Sequence, residues 1–342
     1  MQILLLAQAA GVLKLGNLSL DGTKIHADAS KSKAVSYKRL LALERQLQTE
    51  VDELFARSER AEQSDERAGL VLPDEIALRQ ERLAQLAQAK AILEARAQAR
   101  YEADQTEYEA KVRAREEKAR KKKHKPRGKA PKPPTPGPQD KDQYNFTDPE
   151  SRITPAPPQV RVKNGTDQGF DQHYNAQAAV EQDSFLIVAN GLSNHPNDKA
   201  EALPTLDALA PELGQPAAAA LDNGFFSEAN IAGMEARGIE PYIATGREPH
   251  HKSWQALVAE QPAPPPDDAS PKVKMAYKLQ TEIGQAIYRL RTPALAGGAR
   301  ECTVEPVIGI IKEILGFRHA SRPCAACRLS PGNGVWCAWP SI

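Results

Sequence analysis

Three carboxylates occupy places in the sequence where they could do chemistry. Asp21 closes the apolar, strand-like run Leu18-Ser19-Leu20 and is followed at once by Gly22-Thr23. Asp222 ends the buried-strand pattern over 217–221, with Asn223-Gly224 as the turn beyond it. Glu305 lies near the start of a helical pattern over 303–316, and Lys312, about two turns further on, falls on nearly the same face. Carboxylates at the C-terminal ends of strands point into the crevice where α/β folds do their chemistry. A third carboxylate, from a helix crossing that crevice, would complete a set of hard oxygen donors. Mg²⁺ suits such a set, because it takes few carboxylates, keeps several waters and bridges phosphate oxygens. Two such ions about 3.5–4 Å apart activate a water or a DNA 3′-hydroxyl and stabilise the leaving oxygen. Taken singly, each acid has an ordinary explanation: Asp-Gly and Asp-Asn-Gly are turn sequences, and the helix dipole favours Glu in a first turn. Only their order on strand, strand and helix makes them a set.

The elements that must position these acids follow from changes of composition along the 342 residues. Residues 1–32 hold a short apolar helix-like stretch and a first strand in which Leu18, Leu20 and Ile25 are buried, with a turn or bulge at Gly22. Over 33–123, Leu40, Leu43, Leu47, Val51 and Leu54 recur at spacings of three and four, and Ile76, Leu83, Leu86, Leu93 and Ala97 continue the pattern after Pro73. Narrow apolar stripes among Glu, Arg, Gln and Ala predict two long antiparallel helices, a coiled-coil hairpin. Residues 124–143 are basic and rich in Pro, a linker that cannot bury a core. Residues 144–319 return to globular patterning, with strands expected at 174–180, 185–190, 217–221 and 241–244. Helices are expected at 198–213, at 227–237 behind the cap Ser227, and at 274–291 and 303–316, with a second Pro-rich loop at 250–273. From 320 to 342 there is no usable periodicity, and a disordered tail is expected. The fold class is α/β: a mixed sheet flanked by helices and interrupted by the long helical hairpin.

Composition excludes more than it selects. With 45 Lys plus Arg against 44 Asp plus Glu, the net charge is +1, so overall charge argues for neither a nucleic-acid nor a membrane partner. No apolar run approaches the roughly 18 residues of a membrane-spanning helix, and the apolar N-terminus lacks the basic start of a secretory signal. No membrane partner is expected. Of the four Cys, three lie at Cys324, Cys327 and Cys337, so no disulfide framework supports the body of the chain. The expected setting is reducing and cytoplasmic.

Six blocks of sequence then carry a resemblance. They are S-L-D-G-T-K-I-H-A-D-A-S at 19–30, N-F-T-D-P-E-S-R-I at 145–153, Y-N-A-Q-A-A-V at 174–180, L-D-N-G-F-F-S-E at 221–228, Y-I-A-T-G-R at 242–247 and T-V-E-P-V-I-G-I-I-K at 303–312. In identity and order these blocks resemble the DDE transposases of bacterial insertion sequences, over roughly residues 8–319. The resemblance implies a ribonuclease-H-like core and Mg²⁺-dependent DNA strand cleavage and strand transfer. It places Asp21, Asp222 and Glu305 as the catalytic, metal-holding triad, with two Mg²⁺ ions for which Mn²⁺ can substitute. It implies DNA contacts by Lys312 and by Tyr288 and Arg291, which match the family's Tyr-x-x-Arg. Double-stranded DNA, as element ends and target, is the implied partner, with a homodimer and action at the nucleoid. Three departures accompany it. The chain begins near the end of the family's N-terminal helical DNA-binding domain. The segment 292–301 separates Arg291 from Glu305 like an insertion. After Ser321 the pattern changes as a shifted reading frame would change it. The expectation is a truncated, frame-shifted member of the family.

Other signals are weaker. Lys121, Lys122 and Lys123 belong to a basic run that would grip phosphates without reading bases. Cys324, Cys327, Cys337 and His319 could be counted toward a zinc site, but a changed frame accounts for the three Cys together. His173 and His195 read as local hydrogen-bonding residues. Asp148 and Glu150 read as turn-fixing residues, with Asp148 held in reserve as a ligand. Two alternatives to the enzyme are a catalytically dead transposase remnant that only binds DNA, and a coiled-coil interaction protein whose helices are the working part.

Overall fold

The computed structural model describes residues 1–64, 72–122, 128–155, 170–246, 263–289, 303–316 and 319–320. Along the chain come α1 (Gln2–Ala9), β1 (Asn17–Ala27), β2 (Ala34–Ser36), α2 (Tyr37–Ser64), α3 (Leu72–Lys122) and β3 (Gln143–Asn145). Then follow β4 (Arg152–Pro155), β5 (Phe170–Glu181), β6 (Ile187–Ser193), α4 (Ala202–Asp207), β7 (Ala218–Leu221), α5 (Glu228–Ala236) and β8 (Glu240–Ile243). The described elements end with α6 (Pro271–Lys278), α7 (Glu282–Arg289), α8 (Val304–Gly309) and β9 (His319–Ala320). They form two units, one of Met1–Asp28 with Ser151–Ile342 and one of Ala29–Glu150.

The first unit is built on a mixed sheet ordered β4-β5-β1-β7-β8, with β6 also beside β5 and β9 also beside β1. β1, β7 and β8 are parallel, and β5 runs antiparallel to β1 and to β6. Alternation along β1 divides the sheet's two faces. On one face Leu18, Leu20, Ala179, Ala219, Leu221 and Ile243 pack against Ala202 and Leu206 of α4, Ile231 and Met234 of α5, and Leu4 and Ala7 of α1. On the other, Ala178 and Val180 meet Val304, Val307 and Ile308 of α8, while Ala218, Ala220 and Tyr242 meet Ile287 and Tyr288 of α7. β7 is mostly alanine, a poor strand former. Its position between β1 and β8, with all four residues buried, holds it extended.

Several local expectations change. Gly22 makes neither turn nor bulge, because β1 pairs with β5 without interruption from Leu18↔Glu181 to His26↔His173. Asp21 therefore lies within a long strand rather than at its end. The helix expected over 198–213 is only α4 and a tight turn at Pro211–Leu213, since a proline cannot continue a helix. The helix expected over 274–291 is broken between α6 and α7, where the Thr281 hydroxyl accepts from the Gly284 N–H at 3.1 Å. The last helix widens after Gly309 into a π turn, Ile310–Ile314. Ser227 caps α5 as expected, accepting from Asn230 N–H at 3.0 Å.

In the second unit α2 and α3 pack antiparallel. Tyr37 meets Glu94 at 3.1 Å, Lys90 meets Glu44 at 2.9 Å and Arg79 meets Glu50 at 3.0 Å, so the partners run in opposite senses. Leu40, Leu47, Leu86, Ala89 and Leu93 form the seam. Residues 128–150, of which 128–143 read as linker, fold with this unit. Arg115 donates to the carbonyls of Gly128 and Lys129, Arg100 pairs with Asp142 at 2.8 Å, and Tyr144 enters the seam. None of the described helices is long and apolar enough to cross a membrane.

Candidate active site

Leu20 of β1 lies directly opposite Leu221 of the parallel strand β7. Asp21 is the next residue of β1, and Asp222 is the first residue beyond β7. Both follow buried leucines that point into the same apolar layer, so alternation turns both carboxylates to the opposite face of the sheet, the face α7 and α8 cover. β7 ends at Leu221 while β1 runs on to Ala27 and pairs with β9 only at His26 and Ala27. The stretch of β1 just after Asp21 thus borders a notch in the sheet between the end of β7 and β9. Asp21 Oδ1 accepts from Gly22 N–H at 2.8 Å, and Asp222 Oδ1 accepts from Asn223 N–H at 2.7 Å. Each carboxylate is thereby oriented by the backbone that follows it. Asp21 is half-buried and Asp222 exposed.

α8 is seated on this same face. The hydroxyls of Ser19 and Thr303 are 3.4 Å apart, and Lys312, on the π turn, reaches Thr23 Oγ1 and donates to the Lys24 carbonyl at 2.9 Å. Ser19, Asp21 and Thr23 alternate on one face of β1, so these two contacts bracket Asp21 from either side. Glu305, exposed in the first turn of α8, belongs to the element that spans that interval. Asp21 and Asp222 are an all-oxygen donor pair, the chemistry that hard cations such as Mg²⁺ take. Among the described residues no three His, Cys, Asp or Glu side chains are gathered as a ligand set. The fit therefore rests on the Asp21–Asp222 pair, with Glu305 as the nearest carboxylate of α8 in sequence to its seat at Thr303.

The remaining expected residues are spread more widely. Tyr288 is half-buried against Ala218, Ala220 and Tyr242 on the α7 side of the sheet. Arg291 and Lys123 lie outside the described residues, as do the segment 292–301 and the tail from Ser321 with its three Cys. Lys121 and Lys122 end α3. Asp148 Oδ1 accepts from Glu150 N–H at 3.2 Å, a local turn bond, and Asp148 belongs to the second unit. His195 Nδ1 pairs with the buried Glu201 at 2.5 Å, and His173 Nδ1 lies 3.0 Å from the Asp171 carbonyl.

Four residues near the acids were not singled out from the sequence: Lys24, Asn175, Gln177 and Asp198. Asp198 Oδ1 accepts from both Asn175 Nδ2 and Gln177 Nε2 at 2.8 Å. A Cβ at Gly22 would stand 2.6 Å from Asp198 Oδ1 and 2.4 Å from Gln177 Nε2. A side chain at position 22 would thus displace the hydrogen-bonded tips of Asp198 and Gln177, and a Gly inside a strand pattern is the signal that could have pointed to it. Lys24 donates to the carbonyls of His195 and Pro196 at 3.3 and 3.2 Å. Burial lowers the Lys24 ammonium from its ordinary value, and the charges of Asp198 and Glu201 oppose that fall. No known family model matches the chain, and no curated protein matches it either.

Proposed function

We propose that the first unit is a ribonuclease-H-like core and that the protein is a DDE transposase of the insertion-sequence type, cleaving and joining DNA strands. The observation that carries this is the register that makes Asp21 and Asp222, far apart in sequence, the next neighbours after Leu20↔Leu221 on parallel strands. The central order β6-β5-β1-β7-β8, with β5 alone reversed, supports the same reading, as does the seating of α8 over the Asp21 face. Asp21, Asp222 and Glu305 would hold two Mg²⁺ ions, or Mn²⁺ in their place, which would lower the pKa of an attacking hydroxyl and stabilise charge on the leaving oxygen. The protein's own part is positional. The N–H groups of Gly22 and Asn223 fix one oxygen of each Asp, and α8 would carry Glu305 toward the notch. Lys312, Tyr288 and Arg291 are proposed DNA contacts of this unit, and Lys121, Lys122 and Lys123 contacts of the second. Paired subunits, each acting on one element end, give the homodimer its purpose.

The test is Mg²⁺-dependent nicking of a labelled terminal-repeat duplex by the full chain and by Asp222→Ala. Loss of a charge-stabilising metal ligand is worth several kcal/mol, about a thousandfold in rate. Equal activity of the two proteins removes the proposal. Salt-dependent duplex binding by both proteins, with nicking by neither, selects the DNA-binding remnant instead.

A further inference from the structure

Asp198 lies on the opposite side of β1 from Asp21, yet its carboxylate faces the glycines that follow both acids, Gly22 and Gly224. Its Oδ1 takes the space a Gly22 side chain would need, and its Oδ2 would be 3.5 Å from a Cβ at Gly224, two residues after Asp222. Two amides hold the carboxylate there, and both residues are 1 % exposed: Asn175 and Gln177, neighbours on β5 that pair with Lys24 and Gly22. Such an investment of buried amide groups is costly unless each donor is satisfied. Here each N–H₂ donates to Asp198, while Asn175 Oδ1 and Gln177 Oε1 are buried without a hydrogen bond among the described residues, so Asp198 is what offsets the cost of burying these amides. Lys24 supplies the nearby positive charge, anchored on the carbonyls of His195 and Pro196 in the segment that leads to Asp198.

We infer that Asp198 is a positioning residue for the Asp21–Asp222 pair, filling the space over Gly22 and facing Gly224 so that β1 and the turn after β7 present their carboxylates together, and that Asp198 and Lys24 set the charge behind them. This rests on the reading of Asp21 and Asp222 as cation ligands. A negative group close behind a cation-binding pair strengthens binding, and a positive group there weakens it. The two members of the pair therefore act with opposite sign, which a merely structural role does not produce.

The experiment is Mn²⁺ titration of the full chain by calorimetry, without DNA, on wild type, Asp222→Asn, Asp198→Asn and Lys24→Met, each checked by thermal melting. Asp198→Asn keeps an oxygen to accept from Asn175 and Gln177 and so preserves the local bonds. It is expected to weaken Mn²⁺ binding about tenfold, while Lys24→Met, which removes the opposing charge, tightens it. Wild-type affinity in Asp198→Asn overturns the inference while leaving the cation site in place, provided Asp222→Asn has lost binding. Weakening by both Asp198→Asn and Lys24→Met also overturns it, since that reports loosened structure alone. If wild type and Asp222→Asn bind Mn²⁺ equally, the cation site itself fails and the inference falls with it. Should Asp198→Asn fail to melt cooperatively, Lys24→Met decides: tighter binding upholds the inference, and unchanged or weaker binding rejects it.

Discussion

The hydroxyl of Ser19 meets the hydroxyl of Thr303 at 3.4 Å, with both residues fully buried, and Gln182 Nε2 donates to the same Ser19 oxygen at 2.9 Å. This junction ties the start of α8 to β1 two residues before Asp21. Ser19→Ala removes it without adding bulk. It leaves Gln182 with the Ile287 carbonyl at 3.1 Å and Thr303 with one partner fewer. A buried polar group deprived of its partner costs about 1–3 kcal/mol. Urea denaturation should show a loss in that range. If α8 delivers Glu305 to the acids, metal-dependent cleavage should fall by a larger factor than stability accounts for.

Gly22 gives a second expectation. Its backbone is ordinary strand, so the demand for glycine comes from the Asp198 and Gln177 side chains that occupy its Cβ space. Gly22→Ala should destabilise by about 1–3 kcal/mol through overpacking. At Gly16 an added Cβ would meet Glu181 Oε1 only at 3.9 Å, an ordinary contact, so Gly16→Ala should change stability by less than about 0.5 kcal/mol. Parallel denaturation curves of the two variants check the contrast, and equal losses would refute it.

That contrast also shows what the sequence could and could not carry. Period-2 alternation and short apolar runs sufficed for β1, β5 and β7, because each strand's own burial decides its pattern. Ser227 was readable because a cap acts on a backbone N–H three residues away. Gly22 reads as a turn or bulge from its neighbours alone, because the reason for it lies on β5 and in the segment before α4, far along the chain. The same holds for Lys24 and Asp198, whose meaning depends on partners no local window contains. The shortening of α4 could have been read from Pro204 and Pro211, which a helix pattern over 198–213 overrode. The adjacency of Asp21 and Asp222 came from residue type and resemblance, and only the strand register gives it a geometric basis.

The buried histidine of β5 predicts a pH dependence. His173 is 2 % exposed, and its ring lies 4.4 Å from that of His26. Burial first, then the charge of His26, hold its imidazole below the ordinary value, with Lys24 adding in the same sense and Asp171 opposing. The unfolded chain therefore takes up a proton at a pH where the folded one does not. Stability present above about pH 6.5 should be lost as pH falls toward the lowered value. Urea unfolding at pH 7.5 and 5.5 measures this. His173→Asn should flatten the slope between those two points, and an unchanged slope would show that other groups govern it.

Leu93 tests the helical unit. It is 3 % exposed in the α2–α3 seam beside Leu40 and Leu86. Leu93→Ala leaves a cavity and should cost about 2–5 kcal/mol. The ion pair of Arg100 with Asp142, which is 40 % and 17 % exposed, should cost at most about 1 kcal/mol when broken by Arg100→Gln. Far-ultraviolet circular dichroism during urea titration follows this unit well, since α2 and α3 are its long helices. The midpoint should shift much further for the leucine than for the arginine.

Glu305 offers the sharpest separation of chemistry from structure. Its side chain is exposed in the first turn of α8, whereas its neighbours Thr303 and Val304 are buried against the sheet. Glu305→Gln removes a charge from the first turn of a helix, where the dipole contributes about 0.3–1 kcal/mol. The loss of stability should therefore be small beside the loss of activity. As the third carboxylate of the proposed triad, the same residue should be worth several kcal/mol to the cleavage step. The expected result is a folded protein of near wild-type stability whose nicking rate has dropped by about a thousandfold. Full activity in Glu305→Gln would leave the Asp21–Asp222 pair to act with a different third ligand. A loss of stability matching the loss of activity would return Glu305 to the role of a helix-start residue.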